Sequence, residues 1–179
     1  MRTDFDDLAG RSYSGVFRGT LVKASDNTKM QELEIRGRFG ERITNVEHWH
    51  PYGSYSVPLA PKDGKEAEVL VANLGGSADH PVVLGVADRR HRPTGLQPGE
   101  TGLHDDQGQR VHIGRDGIVI SAPDTKSITV QIGGVSFKVS KDGVDITGGY
   151  VKHNGRMIDA THRHDGVQPG GGNTGEPLA

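Results

Sequence analysis

The chain has 179 residues and a formal net charge of −2, with 32% hydrophobic and 5% aromatic residues. Glycine occurs 27 times, about twice its usual ~7% share, which is typical of a turn-rich all-β chain rather than one with a large monomeric core. The charge balance provides no basic field, so we expect no nucleic-acid partner. The absence of cysteine excludes disulfides and thiolate metal sites, so any metal must bind histidine, carboxylate or carbonyl groups.

The first 14 residues are interpreted as an N-terminal arm. They carry acidic residues at Asp4, Asp6 and Asp7, where a signal peptide would have a basic region and an apolar run. No segment approaches the ~20 consecutive apolar residues of a transmembrane helix. We therefore expect a product that is made soluble and in the cytoplasm.

Residues 15–90 have the pattern of a small barrel. Short apolar runs broken by turn residues predict five strands. These strands are predicted at 16–23, 31–36, near Thr44, at 66–72 and at 80–87. Five strands without a long helix are typical of a Greek-key barrel of the OB type.

A polar, basic segment with proline and glycine, residues 88–95, marks the boundary to a region of different character. There the segment 114–120 is echoed 26 residues later by 140–146, and both contain Asp-Gly. Strictly alternating runs at 128–132 and 135–139 lie between them, which predicts strands joined by Asp-Gly or Gly-Gly turns.

One copy of this second region would be a narrow ribbon with a single apolar face and open edges. Three copies wound around one another would bury all three faces and pair the edges. We therefore predict an intertwined triple-stranded β-helix shaft over residues 91–160, formed by a homotrimer. An ordinary second β domain is the alternative, although a domain of this size is marginally stable by itself.

His162 and His164 are the candidate metal ligands. Residues at i and i+2 of an extended segment share a face, so three chains would supply six imidazoles, enough for an octahedron. Such a nitrogen-only site suits iron(II), nickel or cobalt better than zinc, calcium or magnesium. On spacing alone, a surface coincidence remains the commoner explanation of a single His-x-His.

His48 and His50 have the same spacing and are interpreted as loop packing beside the barrel. A metal-dependent hydrolase using them is the alternative, but it requires a third ligand and a base, and no His-Glu-x-x-His motif occurs. No Gly-x-Ser-x-Gly motif, P-loop or cysteine nucleophile is present either, so we predict a non-enzymatic protein with no catalytic residue. Asp105 and Asp106 are interpreted as turn residues.

An oligosaccharide or single-stranded nucleic acid bound in a groove of the barrel is a further alternative. It would require aromatic platforms, and the chain has few aromatic residues.

Four motifs carry a resemblance to a known family: 47–53 and 79–90 in the barrel region, 99–108 after it, and 161–170 near the end. Together they resemble the central baseplate spike of contractile-tailed bacteriophages, in the Mu-like version of the baseplate assembly protein V family. The resemblance extends from about Gly15 over most of the chain.

The resemblance implies a trimer with an OB-fold collar and a tapering β-helix that ends in a metal-binding tip at residues 161–179. One iron ion (Fe²⁺) per trimer would be held there by His162 and His164 of each chain. Calcium or chloride in the shaft is possible by the same resemblance, without ligands that can be assigned here.

The implied function is mechanical. The spike would lie at the tip of the tail baseplate of the virion, bound to baseplate hub and tail tube proteins. Sheath contraction would drive it through the host outer membrane. The equivalent spike of a tailocin or a secretion system is an alternative with the same architecture.

Overall fold

The structure is a computed structural model that describes residues 15–158 together with Gly166 and Gly170. Within these residues the secondary structure is β-strand, with two short 3-10 turns at Arg38–Gly40 and Leu74–Gly76. In the same residues, no helix has the length and apolar character needed to cross a membrane. The chain divides into two compact units between Pro98 and Gly99. The arm predicted at residues 1–14 lies outside the described residues.

The first unit is a closed five-stranded barrel. Its strands are β1 (Val16–Ser25), β2 (Gln31–Arg36), β3 (Arg42–His48), β4 (Glu68–Asn73) and β5 (Pro81–Ala87). They close in the order β1-β2-β3-β5-β4, with β3 and β5 parallel and the other neighbours antiparallel. This is the order of an OB fold. The predicted all-β class with an N-terminal OB-type barrel is therefore confirmed.

The barrel interior is built by the period-two alternation of its strands. In β2, residues 31, 33 and 35 point inward, while in β4 residues 69 and 71 do so. The apolar side chains so buried form one continuous core. Its fully buried members are Leu21, Leu33, Ile35, Val46, Ala67, Val69, Val71 and Val83.

The second unit contains two three-stranded antiparallel sheets and a short hairpin. The first sheet consists of β6 (Thr101–His104), β7 (Arg110–Ile113) and β8 (Ile118–Ser121). The second sheet consists of β9 (Ile128–Ile132), β10 (Val135–Ser140) and β11 (Gly143–Thr147). The hairpin pairs β12 (Lys152–His153) with β13 (Arg156–Met157).

The two similar segments that contain Asp-Gly, residues 114–120 and 140–146, occupy equivalent positions in these two sheets. Each segment leads into the third strand of its sheet, β8 or β11. The link between β9 and β10 is the pair Gly133-Gly134, and Gly133 adopts a φ of 55°, which a residue without a Cβ reaches at low cost. The predicted Gly-Gly turn at this point is confirmed. Strands β6 and β7 were not predicted, because polar residues and Gly102 interrupt the apolar pattern of β6.

We expect Leu33→Ala to lower the free energy of unfolding of the barrel by roughly 2–5 kcal/mol, because Leu33 is fully buried in its core. Denaturant unfolding followed by the fluorescence of Trp49, the single tryptophan of the chain, measures this change. The control is Leu84→Ala, whose side chain is half exposed on β5, and it should change the value far less. Equal losses in the two variants would contradict the described core.

Candidate functional site

Within the described residues, the second sheet has an unusual surface, which is its apolar face. The strand register places Val130, Phe137 and Ile146 directly opposite one another across β9, β10 and β11. A second row lies one pleat away and consists of Ile128, Val139 and Val144. Opposed residues of neighbouring strands lie on the same side of a sheet. The sheet therefore has one continuous apolar face.

This apolar face is open to solvent. Val130 is 61% exposed and Phe137, at the centre of its row, is 44% exposed. Across residues 99–158, not one residue is classed as buried. Contiguous exposed apolar area of this kind marks an interaction surface.

The opposite face of the same sheet is polar. Thr129, Lys138 and Asp145 form its central row, with Lys138 directly opposite Asp145. Opposite charges at this cross-strand position attract each other. The two faces thus differ as they do in a sheet that is covered on one side and solvated on the other.

The first sheet also has exposed apolar rows. Leu103, Val111 and Ile120 lie in one row across β6, β7 and β8, and Ile113 lies opposite Ile118. Leu103, Ile113, Ile118 and Ile120 are exposed. These rows and those of the second sheet are the apolar rows of the second unit.

The predicted metal ligands His162 and His164 lie outside the described residues, so the metal hypothesis stays a prediction. Within residues 15–158, Gly166 and Gly170, no group of three or more His, Asp or Glu side chains could hold a metal ion. The predicted calcium and chloride sites likewise stay without an assigned ligand.

His48 and His50 lie together at one end of the barrel. His48 is the last residue of β3 and is buried, and His50 follows in the loop. Their ring centroids are 4.0 Å apart, and the ring planes are inclined by 47°. His48 Nδ1 donates to Gln31 Oε1 at 2.8 Å, and His50 Nε2 lies 3.1 Å from Ser56 Oγ.

The burial of His48 lowers the pKa of its ring to about 4, with a further lowering from the neighbouring His50. His48 is therefore neutral at neutral pH. A zinc hydrolase would need three protein ligands and an open position, and the residues described around this pair supply two. The hydrolase alternative gains no support from this geometry.

The sequence did not indicate the hydrogen-bonded partners of His48. Gln31 Nε2 donates to Asp26 Oδ1 and to the carbonyl oxygen of Ser56, both at 2.9 Å. The available signal was the position of Gln31, which shares the inward phase of β2 with two core residues. A polar side chain at such a position requires a partner.

The interpretation of Asp105 as a turn residue agrees with its contacts. Its Oδ1 accepts hydrogen bonds from the backbone N–H groups of Gln107 and Gln109, at 2.9 and 2.8 Å. This carboxylate closes the turn between β6 and β7, and the hydrogen bonds from Gln109 and Gln107 lower its pKa against the opposing effect of desolvation.

The fold and this surface define a class of protein: an OB-fold barrel followed by small β-sheets with uncovered apolar faces. Comparisons with known proteins make the relation specific. Residues 18–90 match the family described as Bacteriophage Mu Gp45, N-terminal, and residues 160–177 match the GpV Apex motif. The predicted resemblance to Mu-like baseplate spikes is confirmed by these matches.

Two relatives are similar over part of their length. The baseplate puncturing device gp45 of Escherichia phage Mu is 35% identical over 100 residues, which make up 56% of this chain and 48% of the relative. The Mu-like prophage FluMu protein gp45 of Haemophilus influenzae is 31% identical over 116 residues, 65% of this chain and 59% of the relative. The matched segments thus span about half of the phage Mu protein and somewhat more of the other.

We expect the His48 ring to titrate near pH 4, well below the ~6.5 of an imidazole in an unfolded chain. Because the folded state disfavours the charged ring, the contribution of His48 to the free energy of unfolding should fall as the pH drops from about 6.5 to about 4. An NMR titration of the ring protons measures the pKa. A midpoint near 6.5 would contradict the burial described.

Proposed function

We propose that this chain is the structural, non-enzymatic spike of a contractile phage baseplate, driven through the host outer membrane when the sheath contracts. The observation that carries the proposal is the set of uncovered apolar rows in the second unit. The matches to a Mu gp45 region and to the apex motif support the same conclusion. Both relatives are named from a phage or a prophage, which favours a phage tail over a secretion system.

We propose a homotrimer as the functional state. The apolar rows of the second unit have no covering layer in residues 99–158, and burial of such area is the main favourable term in association. In the described residues, the outer strands of each sheet also pair on one side only. Three copies entwined along a common axis would bury the rows and satisfy the edges.

The polar rows would then face solvent. The row containing Lys138 and Asp145 lies on the face opposite Phe137. Such a surface suits a shaft that passes through a bilayer and does not remain in it. A lipid anchor would instead carry aromatic and apolar residues, and residues 161–179 contain no Trp, Phe or Tyr.

We propose that His162 and His164 of the three chains hold one Fe²⁺ ion at the tip. Both lie within the matched apex motif, and two imidazoles per chain are a donor set that suits iron(II). When bound, the ion would supply a structural cross-link between chain ends. Chain ends are normally the least supported part of a fold.

The remaining elements of the proposal are its location and partners. The chain would lie at the tip of the virion tail, with its OB barrel bound to baseplate hub and tail tube proteins. Support comes from the name of the phage Mu relative, a baseplate puncturing device. No catalytic step is part of this function.

Sedimentation equilibrium tests the trimer. We expect a mass near three times the chain mass of 19.2 kDa. Val130→Asp should dissociate the assembly, because an unpaired charge in an apolar interface costs roughly 3–5 kcal/mol per chain. The matched control is Thr129→Asp, one residue away on the polar face of the same strand, which should stay trimeric. A monomeric wild-type chain would overturn the assembly.

Elemental analysis tests the tip. We expect about one iron ion per three chains and its loss in the double variant His162→Ala, His164→Ala. The matched control is His48→Ala, His50→Ala, which removes a pair with the same spacing and should keep the iron. Undiminished iron in the tip variant would place the metal elsewhere. Acid should also release the ion as protons compete for the imidazoles.

A further inference from the structure

A cleft of about 510 Å³ opens at the end of the barrel that carries His48. It lies between the β1–β2 loop and the loop that follows β3. Its volume is within the range of small-ligand sites. In OB folds, the face of strands 2 and 3 and the loop between strands 1 and 2 bind oligonucleotides and oligosaccharides. The cleft is thus in a place where this fold binds extended polymers.

The floor of the cleft is a connected hydrogen-bond network. Gln31 is its centre, since its amide group donates to Asp26 and Ser56 and accepts from His48. Ser56 continues the network to His50. Because these bonds fix several side chains at once, the floor is organised before any ligand arrives.

The network determines which hydrogen-bonding groups remain for a ligand. Both amide hydrogens of Gln31 are directed to oxygen atoms of Asp26 and Ser56, so its Oε1 accepts from the Nδ1–H of His48. The Nε2 atom of His48 is then the acceptor of the neutral ring. The Asp26 carboxylate also retains acceptor capacity beyond its one bond to Gln31. The floor therefore suits a ligand that donates hydrogen bonds.

Aromatic rings flank this floor. Trp49 and Tyr55 line the cleft and are 52% and 94% exposed, and Trp49 Nε1 donates to Glu47 Oε2 at 3.2 Å. Tyr52, in the same loop, is fully exposed. The chain has few aromatic residues, and two of them line this cleft. Exposed rings of this kind provide flat apolar platforms with a polar tip.

The charges of the cleft select among the polymers that OB folds bind. Asp26 and Lys29 contribute one charge of each sign, so the cleft lacks the positive groove that a nucleic acid requires. A neutral ligand with hydroxyl donors and flat C–H faces matches the acceptor floor and the aromatic rim. We propose that this cleft is an oligosaccharide-binding subsite, with Tyr55 and Trp49 as stacking platforms and Asp26 as a hydroxyl acceptor.

Trp49 gives a direct measurement, because it is the single tryptophan of the chain. The full-length protein is titrated with a panel of neutral hexasaccharides of glucose, galactose and N-acetylglucosamine. We expect at least one to change the Trp49 fluorescence in a saturable way. Tyr55→Ala should weaken that binding about tenfold, and because this side chain is almost wholly exposed, the thermal midpoint should stay unchanged.

The matched control is Tyr52→Ala, which removes an exposed ring of the same loop that does not line the cleft and should change the affinity less than about twofold. No saturable change up to about 10 mM sugar would overturn the proposal. Saturation by single-stranded DNA or by a peptide, without any by sugars, would also overturn it. The result is independent of the trimer test, since the cleft is formed within one barrel.

Discussion

The exposure of the apolar rows of the second unit is the physical constraint on which the proposed assembly depends. In the barrel, one chain closes its own sheet, and its core residues are withdrawn from water without help. In the second unit, the register puts Val130, Phe137 and Ile146 in one row with no layer over them. Hydrophobic burial is the main source of folding free energy, and the proposed trimer would supply the missing layer over this row.

The two units of the chain therefore differ in how their apolar side chains are covered. The barrel is self-contained, and its end can carry a polar network around Gln31 because the neighbouring core already stabilises the strands. A buried polar group is tolerated only where its partners are fixed. The second unit has simple strands and turns, which suits the mechanical role proposed for it. Any site for small ligands is thus expected on the barrel, and any assembly surface on the second unit.

Much of the fold could be predicted from the sequence, because the alternation of side chains between the two faces of a strand is visible in a short segment. The strand Gln31–Arg36 and the strand Ile128–Ile132 were predicted with their observed bounds. Strand β6 was not, because Gly102 and its polar neighbours carry no alternation. The bond between Gln31 and His48 was not predicted either, since it joins residues 17 positions apart and depends on the closure of the barrel. A contact between residues so far apart in the sequence depends on the strand topology, which a short segment of sequence does not reveal.

The two three-stranded sheets limit how such a protein can change in length. Since neighbouring side chains alternate between faces, the insertion of one residue in β9 before Val130 would invert every later side chain of that strand and move Val130 to the polar face of the sheet. Insertion of a complete three-stranded antiparallel sheet that includes its own Asp-Gly hairpin would keep every side chain on its original face. A lineage of such proteins can therefore lengthen by duplicating complete modules, whereas single-codon insertions are tolerated only at the turns, such as Gly133-Gly134.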